Sequence, residues 1–266
     1  MKSIRVALLT VLVAWPAFLA ATTLTAGDDP VSQGREIFAE VAARNSGYGD
    51  QQASVTMQLR RKSGATTTRV MNIATLEVAN DGARTIVSFN NPLDVKGTAV
   101  LTYTHSAADD EQWIYLPAFK RVKQIADANK TTSFMGSEFT YEDLNSLNIQ
   151  LPKFDYRFLR TEELDGAPCQ VVERVPRYAR SAYKRQVVWV DRERSIVLKI
   201  EYYDTKDVLA KTLSLTKFRK YPSSQWRADE MSMVSVSGDA TLLTWRDFKF
   251  KSGLALNDFS VSALKR

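Results

Sequence analysis

The chain of 266 residues has one cysteine and one histidine. A lone thiol closes no internal disulfide, so stability must come from a large apolar core. Cys169 lies in the strand-like run PCQVVERV and reads as a small buried apolar residue. One His and one Cys cannot build the usual nitrogen and sulfur metal sites, and the carboxylates lack calcium-loop spacing. There is no Gly-rich phosphate loop and no nucleophile elbow. His105, in YTHSAADDEQW, could be drawn beside Ser106, Asp109 and Asp110 as a hydrolytic group. That spacing carries no motif, and a Ser/Ala/Asp turn is an ordinary hairpin connection. No catalytic residue, metal or cofactor is expected.

Charge of one sign is also scarce. The chain carries 36 basic and 30 acidic residues; without Lys2 and Arg5 the count is 34 against 30, an excess of +4. A nucleic-acid binder would show a concentrated basic stripe, so no nucleic acid is expected as a partner. The long apolar stretch is confined to the start. MKSIR is followed by the run VALLTVLVAWPAFLAA and by small residues in ATTLTAGDD. This is the order of a secretory signal peptide, expected over residues 1–26 with cleavage after Ala21 or Ala26. A retained anchor is the alternative, but Pro16 interrupts the run and a span needs about 20 apolar residues. No cysteine follows for lipid attachment, so residues 27–266 are expected to be a non-lipidated single domain in an extracytoplasmic space.

What is present is strand pattern. Asp29-Pro30 opens one helix, with Ile37, Phe38, Val41 and Ala42 on its apolar face and Asn45-Ser46-Gly47 at its end. After it, period-two alternation recurs in about twelve runs, from ASVTMQLRRK with Met57 and Leu59 to ATLLTWRDFKFK. Ser63-Gly64, Asn80-Asp81-Gly82, Asp165-Gly166 and Ser237-Gly238-Asp239 punctuate them. Short strand-turn-strand spacing implies antiparallel pairing. A sheet of that many strands must curl, split or close. The expected fold is mainly β: a curled antiparallel sheet, either a closed barrel or an open trough, with something lying against its inner side.

Two charged groups admit functional readings. Glu138, Glu142 and Asp143 could serve acid/base chemistry, but read more simply as the polar side of a turn around FTYEDL. Arg177, Arg180, Lys184 and Arg185 could meet anionic headgroups, or guard a strand edge against aggregation. The unexpected feature is TTSFMGSEFTY, where Phe134, Met135, Phe139 and Tyr141 crowd beside Gly136 in a connector that should be solvated. Glycine supplies backbone freedom and methionine an adaptable apolar surface. Such a loop is either a flap at a cavity mouth or a fixed plug that completes the core.

The segment from Asn91 to Leu144 resembles the signature of the periplasmic outer membrane lipoprotein-sorting proteins, which are similar to the lipoprotein carrier LolA. The resemblance rests on Asp94-x-Lys96-Gly97, Trp113-x-Tyr115-Leu116-Pro117, Lys120-Arg121-Val122, and Ser133-Phe134-Met135-Gly136-Ser137 with Phe139-Thr140-Tyr141-Glu142-Asp143-Leu144. Looser agreement runs over residues 30–266. It implies a LolA/LolB-type fold: an incomplete, half-open barrel with a helical or loop lid around a hydrophobic cavity. Such a protein would carry lipoprotein acyl chains or another lipid across the periplasm toward the outer membrane without catalysis. An inner-membrane RND-type exporter and an outer-membrane acceptor are the implied protein partners. A non-carrying adaptor of such an exporter is the alternative, and a lipid-acting hydrolase a further one. The implied ligand-binding residues are Met57, Leu59, Trp113, Tyr115, Phe134, Met135, Gly136, Phe139 and Tyr141. No arginine here is matched to the one that helps hold the lid of LolA shut.

Overall fold

The computed structural model describes residues 29–145, 149–221 and 225–265. The expected leader lies outside them, and none of the described helices is long and apolar enough to cross a membrane. The helix α1 spans Pro30–Asn45, one residue from the expected end. Asp29 caps it by accepting from the amides of Val31 and Ser32, and Ile37, Phe38 and Val41 are buried beneath it. It lies along the strand Phe154–Leu164. A Cβ on Gly34 would sit 2.7 Å from the Phe158 amide nitrogen, so only glycine permits that close approach.

Thirteen strands follow, one more than the alternation suggested. The first six are β1 Asp50–Arg60, β2 Thr66–Glu77, β3 Ala83–Asn91, β4 Ala99–Tyr103, β5 Glu111–Leu116 and β6 Arg121–Gln124. The other seven are β7 Phe154–Leu164, β8 Ala167–Pro176, β9 Tyr183–Asp191, β10 Ile196–Asp204, β11 Leu209–Lys220, β12 Trp226–Ser235 and β13 Ala240–Phe250. They form one sheet in the order 6-5-4-3-2-1-13-12-11-10-9-8-7, every pair antiparallel. Each half is a meander, and the halves join where β1 pairs with β13. The edges β6 and β7 are not paired with each other, so the barrel is not closed.

The sheet nonetheless curls. Ile114 near one edge and Tyr156 on the other belong to the same buried core as Met57, Leu213 and Leu243 from the middle. A flat sheet could not bring them together. The connection from β6 to β7, residues 125–153, must cross between the two edges, and it carries the SFMGS loop over the open side.

The outer face is covered unevenly. Behind β2–β5, the C-terminal 3₁₀ turns Leu256–Phe259 and Val261–Lys265 lay Phe259 and Leu264 onto Leu101 and Trp113. Behind β8–β10, Val171, Val187 and Trp189 are buried as a small cluster, with Arg160 and Lys199 stacked over the Trp189 ring. Cys169 belongs to that cluster and is buried, as its sequence context suggested.

Candidate functional site: an apolar hollow with two different ends

The inner face of the sheet does not pack solid. A cavity of about 670 Å³ runs between β1–β3, β10–β13, the C-terminal end of α1 and the crossing segment. Its walls are largely apolar: Met57, Met71, Val87, Leu213, Met231 and Leu243 all contribute. That volume lies in the usual range for sites that enclose a small ligand.

One end is stoppered by the loop from Ser133 to Tyr141. Met135 (φ 52°) and Gly136 (φ 73°) are both left-handed, which turns the chain sharply. The turn is tied by the Phe134 amide to the Phe139 carbonyl at 2.7 Å and by Ser133 Oγ to the Ser137 carbonyl at 2.6 Å. This aims Phe134, only 1 % exposed, and Phe139 into the hollow. Tyr141 stands edge-on to Phe134 with ring centroids 5.5 Å apart.

Three strands and the turn after β1 hold this stopper from outside. Arg61, just past β1, donates to the Gly136 carbonyl at 3.2 Å, and Arg69 of β2 donates to the Met135 carbonyl. Thr241 of β13 accepts from the Glu138 amide at 2.9 Å, and Lys211 of β11 donates to the Glu138 carbonyl at 2.8 Å. Lys211 also pairs with Asp143, which accepts from the Thr140 amide and the Tyr183 hydroxyl as well. Both members of that pair are buried. Two arginines thus grip the loop, although the sequence offered no match for a lid-holding one.

Beside the stopper, ionic contacts seal the seam between the sheet's two halves. Lys153 at the start of β7 pairs with Asp110 before β5, and Lys130 donates to the Asp110 carbonyl. Glu142 accepts from Tyr178 Oη at 2.8 Å, Ser181 Oγ at 2.5 Å and the Ala182 amide at 2.9 Å. Burial holds its carboxyl above the ordinary glutamate range, against the pull of those three bonds. Burial, together with the adjacent Asp143 carboxylate, also raises the Tyr183 phenol well above its usual value. Glu142 and Asp143 are thus buried and bonded to the segment from Tyr178 to Tyr183, rather than forming the polar side of a turn around FTYEDL.

The opposite end differs. There the lining residues Ala43, Arg44, Ser46 and Lys220 are exposed, so the hollow reaches solvent. Phe218, Trp226, Trp245 and Phe248 form an aromatic collar around it. Two left-handed residues, Lys217 and Asp247 (each φ 55°), break the strand alternation so that Phe218 and Phe248 turn inward. Trp245 and Phe248 stack with centroids 5.7 Å apart and planes 7° from parallel. Arg227 is held by Gln51 and Asn45 at 2.9 and 2.8 Å, and burial lowers its pKa from the usual arginine value.

The expected binding residues divide accordingly. Met57, Phe134 and Phe139 line the hollow, and Met135 packs on the same core. Leu59 is buried in that core but is not part of the cavity wall, and Gly136 is exposed at the loop tip. Tyr141 borders a second pocket of about 330 Å³ on the seam. Trp113 and Tyr115 lie on the other face of the sheet, because the register of β5 turns Gln112 and Ile114 inward. The aromatic collar was missed. Trp245 and Phe248 are three apart, and strict alternation sets them on opposite faces.

His105 lies in the β4–β5 turn. Its Nδ1 lies 2.7 Å from Asp81 and its Nε2 3.5 Å from Glu111, and the Ser106 amide donates to Asp81 at 3.0 Å, so these residues tie the β4–β5 turn to the β2–β3 turn. Arg177, Lys184 and Arg185 pair with Asp155, Asp207 and Glu173 on the surface. Among the described residues, no group of three or more potential ligands could hold a metal ion.

One antiparallel sheet curled around an apolar hollow, with the helix α1 laid across its edge strand, is a LolA-like fold. The same architecture occurs in a LolA superfamily protein from Nitrosomonas europaea, at TM-score 0.66 and 17% identity over 85% of this chain and 97% of that one. A DUF1329 family protein from Desulfovibrio piger is similar at TM-score 0.84 and 29% identity, over 89% of this chain and 99% of that one. A domain classed with the outer membrane lipoprotein-sorting proteins, from Vibrio parahaemolyticus, is 40% identical with TM-score 0.86, over 89% of this chain and all of that one. A family model described only as an uncharacterized protein matches residues 81–266. No curated protein matches the chain. The chain belongs to the family of outer membrane lipoprotein-sorting proteins.

Proposed function

We propose that this protein is a non-catalytic periplasmic carrier that shelters the acyl chains of a lipoprotein or lipid in its hollow on the way to the outer membrane. The observation that carries this reading is the cavity of about 670 Å³ with apolar walls on the inner face of the sheet. Exposing a twelve-carbon chain to water costs on the order of 10 kcal/mol, at about 0.8 kcal/mol per methylene. A chain leaving a bilayer needs an equivalent apolar surface, and the hollow supplies one without chemistry. The loop from Ser133 to Tyr141 is its end wall: directional bonds from three strands and from Arg61 suit a fixed stopper better than a swinging flap. Leader removal and export to the periplasm belong to the same proposal, as do an inner-membrane exporter and an outer-membrane acceptor as partners.

The test is extraction of lipid from the purified protein, followed by mass identification, beside displacement of a fluorescent fatty acid. The native protein should retain acyl lipid, and Phe134→Asp with Met135→Asp should lose most of it while remaining folded. Equal lipid in the folded variant would remove the end wall from the site. Absence of both lipid and probe binding in the native protein would overturn carriage and leave the adaptor reading.

A further inference from the structure

Two buried polar atoms at the collar end have no hydrogen-bond partner: the indole N–H of Trp245 and the side-chain carbonyl of Gln225. Both residues line the hollow, and Gln225 is only 4 % exposed. The orientation of Gln225 is settled by its Nε2, which donates to the Ser46 carbonyl at 3.0 Å and leaves Oε1 as the free acceptor. Burying a donor and an acceptor unpaired is costly, and native folds rarely do so without a use. One orphan donor and one orphan acceptor at the solvent end of an apolar cavity describe a ligand with an acceptor and a donor next to a hydrocarbon chain.

We infer that the collar is the mouth of the hollow and that Trp245 and Gln225 hold the amide joining a fatty acyl chain to its carrier group. The acyl carbonyl accepts from Trp245, the amide N–H donates to Gln225, and the tail runs toward Phe134 and Phe139. The strands support this axis. The stopper contacts Arg61 just past the end of β1, Lys211 of β11 and Thr241 of β13, while Gln51, Lys220 and Phe248, near the opposite ends of β1, β11 and β13, line the mouth. The nine-residue separation from Lys211 to Lys220 spans roughly 30 Å. The collar's stacked rings suit the boundary where one end of a ligand is apolar and the other wet.

This inference rests on the carrier reading but fails separately from it. The probes are three chains of matched length: N-methyldodecanamide, methyl dodecanoate and tetradecane, each displacing a fluorescent alkyl probe. A hollow without polar partners would reject the amide by tenfold or more relative to the ester, because its N–H would be buried unpaired. The amide is expected to bind at least as tightly as the ester. Trp245→Phe should weaken amide and ester roughly fivefold and leave tetradecane unchanged; Gln225→Met should weaken only the amide. An N-dodecanoyl dipeptide separates the two sources of such an amide. Binding as tight as N-methyldodecanamide means the chain beyond the amide leaves through the mouth, as in a lipid-modified protein. Its rejection, with the simple amide still bound, assigns the site to a free lipid amide. Rejection of the simple amide, or variants that weaken all three probes equally, would overturn the inference while carriage stands. No binding of any probe would end both.

Discussion

Removing one partner of the buried pair between Lys211 and Asp143 should unseat the stopper. Their side chains are 9 % and 1 % exposed, and Lys211 additionally holds the Glu138 carbonyl at 2.8 Å. A buried charge stripped of its partner typically costs about 3–5 kcal/mol, far above the roughly 0–1 kcal/mol of an exposed pair. Lys211→Met strands the Asp143 carboxylate with the Thr140 amide at 2.7 Å and the Tyr183 hydroxyl at 2.9 Å. Asp143→Asn strands the ammonium between the Tyr183 and Tyr202 rings, with centroids 5.4 and 5.5 Å away. Each single variant should therefore lose several kcal/mol. The double variant removes both charges and keeps an acceptor for Thr140, so it should cost less than the sum by about 2 kcal/mol or more. Urea unfolding of all four proteins measures the cycle. Hydrogen exchange at Phe134 and Tyr141, whose amides are bonded to Phe139 and Thr132, locates the damage. Additive losses, singles below about 1 kcal/mol, or unchanged protection of those two amides would refute the assignment of the pair as the anchor of the loop.

Three further outcomes follow from the same geometry. Gly34→Ala should destabilise by about 1–3 kcal/mol in thermal or urea unfolding, despite alanine's helix propensity, because its Cβ would meet the backbone of Arg157 and Phe158; a gain in stability would show that α1 can lift off β7. Glu142 has a folded pKa raised by burial, so its contribution to stability is present below the unfolded value near 4.3 and is lost as pH rises through the folded one. The stability difference between native protein and Glu142→Gln should accordingly fall with increasing pH across that window in urea titrations; a difference that rises would reverse the assigned sign. Trp113→Ala should cost about 2–4 kcal/mol by opening the contact with Tyr103, 4.9 Å away, yet leave extracted lipid unchanged, since it lies behind the sheet.

Much of the fold was legible because its signals are local. Asp29-Pro30 starts a helix wherever it stands, alternation marks each strand, and Gly and Asn/Asp pairs mark turns. The SFMGS loop was legible too, since four large apolar side chains in a polar connector have to be buried against something. What the pattern misjudged was facing. Trp113 and Tyr115 look as apolar as Ile114, and alternation does not say which face of β5 is inward. That depended on residues 254–265 folding back over the outer side. The collar was concealed in another way: Lys217 and Asp247 adopt left-handed backbone that nothing local requires, and each reverses the facing of the residues after it.

By itself, then, the order of residues determined a long antiparallel meander, one capped helix and a bonded apolar loop between two of its strands. Only the tertiary structure decided that the last strand pairs with the first, leaving β6 and β7 as edges with that loop between them. Only it decided that the hollow is stoppered at one end and open at the other. The physical reason is range. Helix caps, turns and alternation are settled by neighbours a few residues apart. The meeting of Gln225 and Trp245 with Phe134 around one space depends on curvature summed over thirteen strands.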